Sequence, residues 1–77
     1  MNLRIITKEK ETLSTESSSV SLPGECGRMK VLPGHANLIA KLQNGLISYS
    51  TGSNIKTISI RGGIVEVAQD NITVLVN

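Results

Sequence analysis

Apolar side chains in this chain recur at every second residue, in short runs broken by turn residues. In "NLRIIT", Leu3, Ile5 and Thr7 share one face while Arg4 and Ile6 share the other. "SVSL" sets Val20 and Leu22 against serines, "NIKTISI" sets Ile58 and Ile60 against Thr57 and Ser59, and "NITVLV" gathers Ile72, Val74 and Val76 on one side. Period-2 alternation rich in β-branched residues is the mark of a half-buried strand. Pro23-Gly24 and Pro33-Gly34 suit type II turns, in which glycine takes the positive φ. Asn44-Gly45 and Thr51-Gly52-Ser53-Asn54 read as reversals, Ala68 to Asn71 as a last hairpin loop, and Gly62-Gly63 as a bulge or a corner between sheets. The serine run Ser14 to Ser19 reads as a solvated hairpin.

One stretch competes for a helix. In "HANLIAKLQ", Leu38 and Leu42 are four apart, as are Ala36 and Ala40. The run spans about two turns and ends at Asn-Gly, and isolated helices that short are marginal, so a strand is favoured. The pattern predicts an all-β fold, a small antiparallel β-sandwich or barrel of about eight to ten short strands, with residues 1–77 as one domain.

Composition narrows the function. A chain of 77 residues buries only about 60% of the surface its unfolded form exposes, so it gains much from a partner. The single cysteine, Cys26, forms no internal disulfide, and one Cys with one His makes no zinc site. A reducing compartment is implied. The net charge of +2 is far from the dense Lys/Arg patch that phosphate neutralisation needs, and Tyr49 is the only aromatic residue, so stacking platforms for nucleic acid are missing. No apolar run approaches the ~20 residues of a membrane span. The opening "MNLRIITKEKET" lacks the apolar segment of a signal peptide. The expectation is a soluble intracellular domain that does not insert into the membrane.

Candidate chemistry is sparse. No glycine spacing matches a P-loop, and Gly24, Gly27 and Gly34 do not form G-x-G-x-x-G. His35 titrates in the range of a general base, but Gly34, Ala36 and Asn37 beside it supply no nucleophile or acid; a ring hydrogen bond to a turn carbonyl, or a contact with a partner, is the expected use. Cys26 has Arg28 two residues away, yet a small apolar filler is the simpler role. The carboxylates Glu9, Glu11, Glu16, Glu25, Glu66 and Asp70 are scattered and read as surface solvation. Neither catalytic nor cofactor-binding nor metal-binding residues are predicted. Met29-Lys30 is similar to the modified Met-Lys of biotin- and lipoyl-carrying swinging-arm domains, although Val31 stands where the biotin version has a second methionine.

Taken in order, these pieces assemble. "SLPGECGRMKVLPGHANLIAKLQNGLISY", followed by "ISIRGGIVEVAQDNITVLV", resembles the N-terminal β-sandwich of the epsilon subunit of F-type ATP synthase. The family pattern opens with a strand and a "V-x-L-P-G" turn. It continues through "G-x-x-x-(I/V)-L-P-G-H-A-x-L-(I/L)" and a glycine-marked hairpin, and closes on "x-G-G-(F/I)-V-E-V-x-x-(D/N)-x-V-T-V-L". The chain meets it at Val20, Leu22, Pro23, Gly24, Gly27, Val31 to Ala36, Leu38, Gly45, Gly62, Gly63, Val65 to Val67, Val74 and Leu75, with "IITKEKETLSTE" as the first hairpin.

The resemblance implies a central-stalk subunit, not itself catalytic and without cofactor. It would couple the gamma shaft to the c-ring, as a monomer within a hetero-oligomeric complex on the cytoplasmic face of the bacterial inner membrane. It further implies that the loop Arg28, Met29, Lys30 faces the c-ring and that His35 and Asn37 lie toward gamma. In this pattern the Pro-Gly-His stretch is a scaffold corner. Arg28 stands where most members carry an acid, and Lys30 replaces the following glycine, so the charge facing the ring is inverted. Arg61 replaces the serine of "S-G-G" and Asn37 a common proline. Many relatives add a C-terminal two-helix hairpin; a sequence closing on Asn77 suggests a short form without it.

Overall fold

Among the described residues, every regular element is a strand. A computed structural model describes residues 1–8 and 11–77; Glu9 and Lys10 of the first predicted hairpin, and the side chains of Glu11 and Thr12, lie outside that description. The strands are β1 (Asn2–Ile6), β2 (Glu11–Glu16), β3 (Val20–Gly24), β4 (Gly27–Val31), β5 (Leu38–Leu42), β6 (Gly45–Thr51), β7 (Asn54–Ile60), β8 (Gly63–Ala68) and β9 (Asn71–Val76).

Their pairing makes two layers. The first runs β2-β1-β9-β8-β5, the second β7-β6-β3-β4. The layers join at one corner, where Gly24 pairs with Leu42. There the Glu25 amide donates to the Lys41 carbonyl (3.0 Å) and the Gln43 amide to the Pro23 carbonyl (2.8 Å). The predicted sandwich is therefore one sheet curled over on itself. A single pair departs from the antiparallel expectation: β1 and β9 run parallel, with Leu3 opposite Ile72 and Ile5 opposite Val74. Parallel neighbours need a long crossover, and here the whole intervening chain supplies it, so the first and last strands close the first layer from its middle.

Alternation decides the core. Leu3, Ile5, Val65, Val67, Ile72 and Val74 of the first layer meet Val20, Leu22, Val31, Ile47, Tyr49 and Ile60 of the second in one buried cluster. Burying each such aliphatic side chain contributes about 1.5–3 kcal/mol. "HANLIAKLQ" contains β5 and no helix. In isolation that run could not hold a helix, whereas as a strand it pairs with β8 along its whole length.

Two turn readings need correction. Pro23-Gly24 is not a turn. Both residues lie inside β3, opposite Arg28 and Gly27, and the reversal is Glu25-Cys26. Proline fits there because β3 changes neighbours around it, pairing with β6 at Val20 and Ser21 and with β5 at Gly24. The serine run is not a solvated hairpin either. Ser14 to Glu16 finish β2, and Ser17 to Ser19 carry the chain from the first layer to the second, with Ser17 buried. Ser50 Oγ accepts from the amides of Ser18 (3.2 Å) and Ser19 (3.0 Å), and Ser17 Oγ donates to the Ser19 carbonyl (2.8 Å). Gly62-Gly63 is the corner expected between layers, linking β7 to β8.

Candidate functional site: two ends of the sandwich

The connections gather at two ends of a body 27 × 23 × 18 Å in extent. At one end lie the Glu25-Cys26 turn, the Gln43-Asn44 connection and the Gly62 corner. A row of pairings joins them, Gly24 to Leu42, Leu42 to Gly63, and Gly63 to Val76. At the other end lie the Ser17–Ser19 crossing, the loop 32–37 and the β8–β9 turn. Hydrogen bonds from Ser17 to Met1 (2.9 Å) and from Asn2 to Asp70 (2.9 Å) hold this end together.

The residues predicted to face partners fall on the edge strand between these ends and in one end loop. Arg28, Met29 and Lys30 are not a loop but the middle of edge strand β4. Alternation splits them: Met29 packs against the core, while Arg28 and Lys30 are exposed. Arg28 lies flat across the second layer, Nε donating to Ser21 Oγ (3.0 Å) and Nη2 to the Leu46 carbonyl (2.5 Å). Both acceptors are neutral oxygens, not carboxylates. The strands of the second layer hold Arg28, Lys30 and Lys56 and no carboxylate. Lys30 sits in mid-strand opposite Ser21, not at the hairpin tip that a swinging-arm lysine occupies.

His35 and Asn37 are exposed in the loop between β4 and β5. Gly34 has φ +83, and the His35 amide donates to the Leu32 carbonyl (3.1 Å), which is the predicted turn at Pro33-Gly34. The His35 ring bonds a carbonyl as expected, Nδ1 lying 2.7 Å from the Ala36 oxygen. Asn37 Oδ1 accepts from the Gln69 amide (3.2 Å), and Asp70 Oδ1 accepts from the Gly34 amide (2.9 Å). Asp70 is thus more than surface solvation. Glu16 also has a partner, 3.8 Å from the N-terminal ammonium. Sequence reasoning missed the Gly34–Asp70 link because the two residues are 36 positions apart and only the fold joins them.

Cys26 is exposed in the β3–β4 turn and does not fill the core; a two-residue reversal has no interior to fill. Beside it a groove of about 440 Å³ runs between the edges of β4 and β5, floored by Gly24, Met29 and Ala40. Among the described residues, no group of three or more His, Cys, Asp or Glu could hold a metal ion, and no helix is long and apolar enough to cross a membrane.

The architecture defines a small two-layer β-sandwich domain whose distinctive exposed residues sit in edge strands and end loops. The chain belongs to the family described as the ATP synthase delta/epsilon chain β-sandwich domain, whose model matches residues 1–77. The ATP synthase epsilon chain of Synechococcus sp. (strain CC9311) is 36% identical over 77 residues, and the chloroplastic epsilon chain of Phaeodactylum tricornutum is 40% identical over 77 residues. The whole of this chain is matched but only 57% and 58% of those relatives. Among solved structures, Tetrahymena thermophila mitochondrial ATP synthase (central stalk and c-ring) contains a chain with TM-score 0.79 at 18% identity, covering 99% of this chain and 62% of that one. A chain of the Euglena gracilis mitochondrial enzyme gives TM-score 0.88 at 21% identity, covering 96% and 48%. The swinging-arm reading of Lys30 is not favoured by these findings.

Proposed function

We propose that residues 1–77 act as one domain of the central stalk of an F-type ATP synthase, a rotor piece without chemistry of its own. It grips the gamma shaft through His35 and Asn37 and meets the c-ring through the edge strand that carries Arg28 and Lys30, so that ion-driven rotation of the ring reaches the catalytic head. In a bacterium the assembled complex would be attached to the cytoplasmic face of the plasma membrane, with this subunit peripheral.

The observation that carries this reading is the separation of Arg28 from the loop that holds His35 and Asn37. In a chain of this family, Arg28 lies next to the Glu25-Cys26 turn with Lys30 farther along the same edge strand, and His35 and Asn37 lie at the β8–β9 end. A part that transmits torque between two partners needs two attachment points on a stiff body. A sandwich with a close-packed core is stiff, and the joined corner keeps its layers from sliding. Permanent interfaces commonly bury about 2,000 Å² or more. Leu32, Ile39, Leu46, Ile55, Ile64 and Leu75 are large apolar residues exposed on the chain alone, which is surface that partners could cover.

The deciding experiment replaces both Arg28 and Lys30 by Glu in the full subunit, reconstituted with the remaining enzyme in vesicles. Ion-driven ATP synthesis should fall while the circular dichroism spectrum stays that of the parent. Coupling equal to the parent's would remove the ring-facing assignment. Recovery of the gamma subunit with the tagged chain from source membranes tests the other grip.

A further inference from the structure

We infer that Asp70 is a positioning residue, holding the loop that carries His35 and Asn37 in the shape a partner meets; the inference rests on the gamma-facing reading above.

The loop 32–37 leaves one layer and enters the other, and each of its residues is exposed. Two hydrogen bonds tie it to neighbouring residues of the β8–β9 turn. The Gly34 amide donates to Asp70 Oδ1 at 2.9 Å, and the Gln69 amide donates to Asn37 Oδ1 at 3.2 Å. These bonds run in opposite directions and bracket His35. The first has an ionised acceptor and is the stronger kind. The turn is itself anchored, since the Asp70 carbonyl accepts from the Asn2 amide at 2.9 Å. The position of the loop is therefore referred to the middle of the first layer.

Backbone strain argues that the carboxylate is there for this bond. Gln69 and Asp70 have φ of 50° and 62°, a conformation that costs most side chains energy and glycine almost none. A reversal selected for the hairpin alone would favour Asn-Gly or Asp-Gly. Here the second position is Asp. Strain retained where glycine would remove it points from the observed outlier toward a use, and the side chain has one visible use, the Gly34 amide.

Stability and binding should then move in opposite directions. Asp70→Gly removes the clasp and relieves the backbone, so the melting temperature should stay level or rise. Exchange of the Gly34 amide should quicken on the order of tenfold, as expected for one lost hydrogen bond to a charged group. Rebinding of the full subunit to the enzyme depleted of it should weaken roughly three- to tenfold, the cost of ordering a loosened loop on docking. Asp70→Asn keeps an acceptor oxygen, though a neutral one, and tolerates the same φ, so it should recover part of both readouts. Unchanged Gly34 exchange in Asp70→Gly would overturn the clasp. Faster exchange with undiminished rebinding would overturn its positioning role. A double replacement of His35 and Asn37 by Ala separates the two readings: rebinding unaffected by it removes the gamma-facing assignment, whereas rebinding lost there but intact in Asp70→Gly removes only the present inference.

Discussion

Gly63 is the position where one added methyl group should do the most damage. It opens β8 at the corner between layers and pairs with Val76 on β9 and Leu42 on β5. A Cβ built there would sit far inside the van der Waals radius of the Leu75 carbonyl oxygen, and 3.0 Å from both Leu75 C and Val76 Cα. These are backbone atoms of a paired strand, so no rotamer change relieves the clash and β9 must move away. The φ of +154° adds strain for any L side chain. Overpacking of this kind costs about 1–3 kcal/mol and strained backbone a further 1–3, giving about 2–6 kcal/mol for Gly63→Ala. A chain of 77 residues has a total stability of about 4–12 kcal/mol, so about half of it is at risk. At roughly 4–8 °C per kcal/mol for a domain this small, the melting temperature should fall by about 8 °C or more. Gly52→Ala is the control: its φ is +63° and nothing lies within 4 Å of the added Cβ, so it should cost only the ~1–2 kcal/mol of a left-handed residue. Thermal and urea unfolding followed by circular dichroism measures both. If Gly63→Ala melts no lower than Gly52→Ala, the corner does not depend on close backbone approach and the steric reasoning fails.

Three further outcomes follow from the geometry. Leu22→Ala, at a fully buried position, should destabilise by about 2–5 kcal/mol in urea titrations; a loss below 1 kcal/mol would mean the layers repack freely there. Ser50→Ala removes the acceptor for the Ser18 and Ser19 amides and should cost about 1 kcal/mol, whereas Ser50→Thr, which retains a hydroxyl oxygen, should recover most of it; equal losses in the two variants would reject the hydroxyl's role. Cys26, exposed in its turn, should react with a thiol reagent in the folded chain about as fast as in the urea-unfolded one, and more slowly in the assembled enzyme if that end is covered by the ring.

Much of the fold was legible because a strand's side-chain period is two and the core obeys it. Of the residues that alternation put inward, Leu3, Ile5, Val20, Leu22, Ile60, Ile72 and Val74 are buried, while Ile58 and Val76 are half-buried against that core. The same regularity gave β5, since a two-turn helix has too little of its own stability to resist pairing with β8. What was illegible depends on which strands become neighbours. Pro23-Gly24 carries turn chemistry but lies where β3 exchanges one partner for another, and no local signal marks such an exchange. The parallel pairing of β1 with β9 joins the two ends of the chain. Ser17 looked like solvent-facing polarity because its use, within a cluster of hydroxyls and amides around Ser50, spans more than thirty residues.

The same contrast explains why the candidate site was half visible. Arg28, Lys30, His35 and Asn37 stand out in the sequence as polar residues at points where a sandwich turns or presents an edge. Their grouping is a property of topology. Successive strands β3 and β4 form a hairpin in the second layer, so Arg28 follows the turn at one end, and the chain then climbs β4 and leaves from the opposite end before His35. Eight residues of sequence thus traverse the length of a strand, and residues close in the chain are delivered to different ends of the body. Asp70, distant in sequence, arrives beside them because β8 and β9 reverse at that same end. A rigid two-layer body needs no moving part to keep those ends in fixed relation. The mechanical role proposed for it rests on the corner at Gly24, Leu42 and Gly63 as much as on the residues proposed to meet a partner.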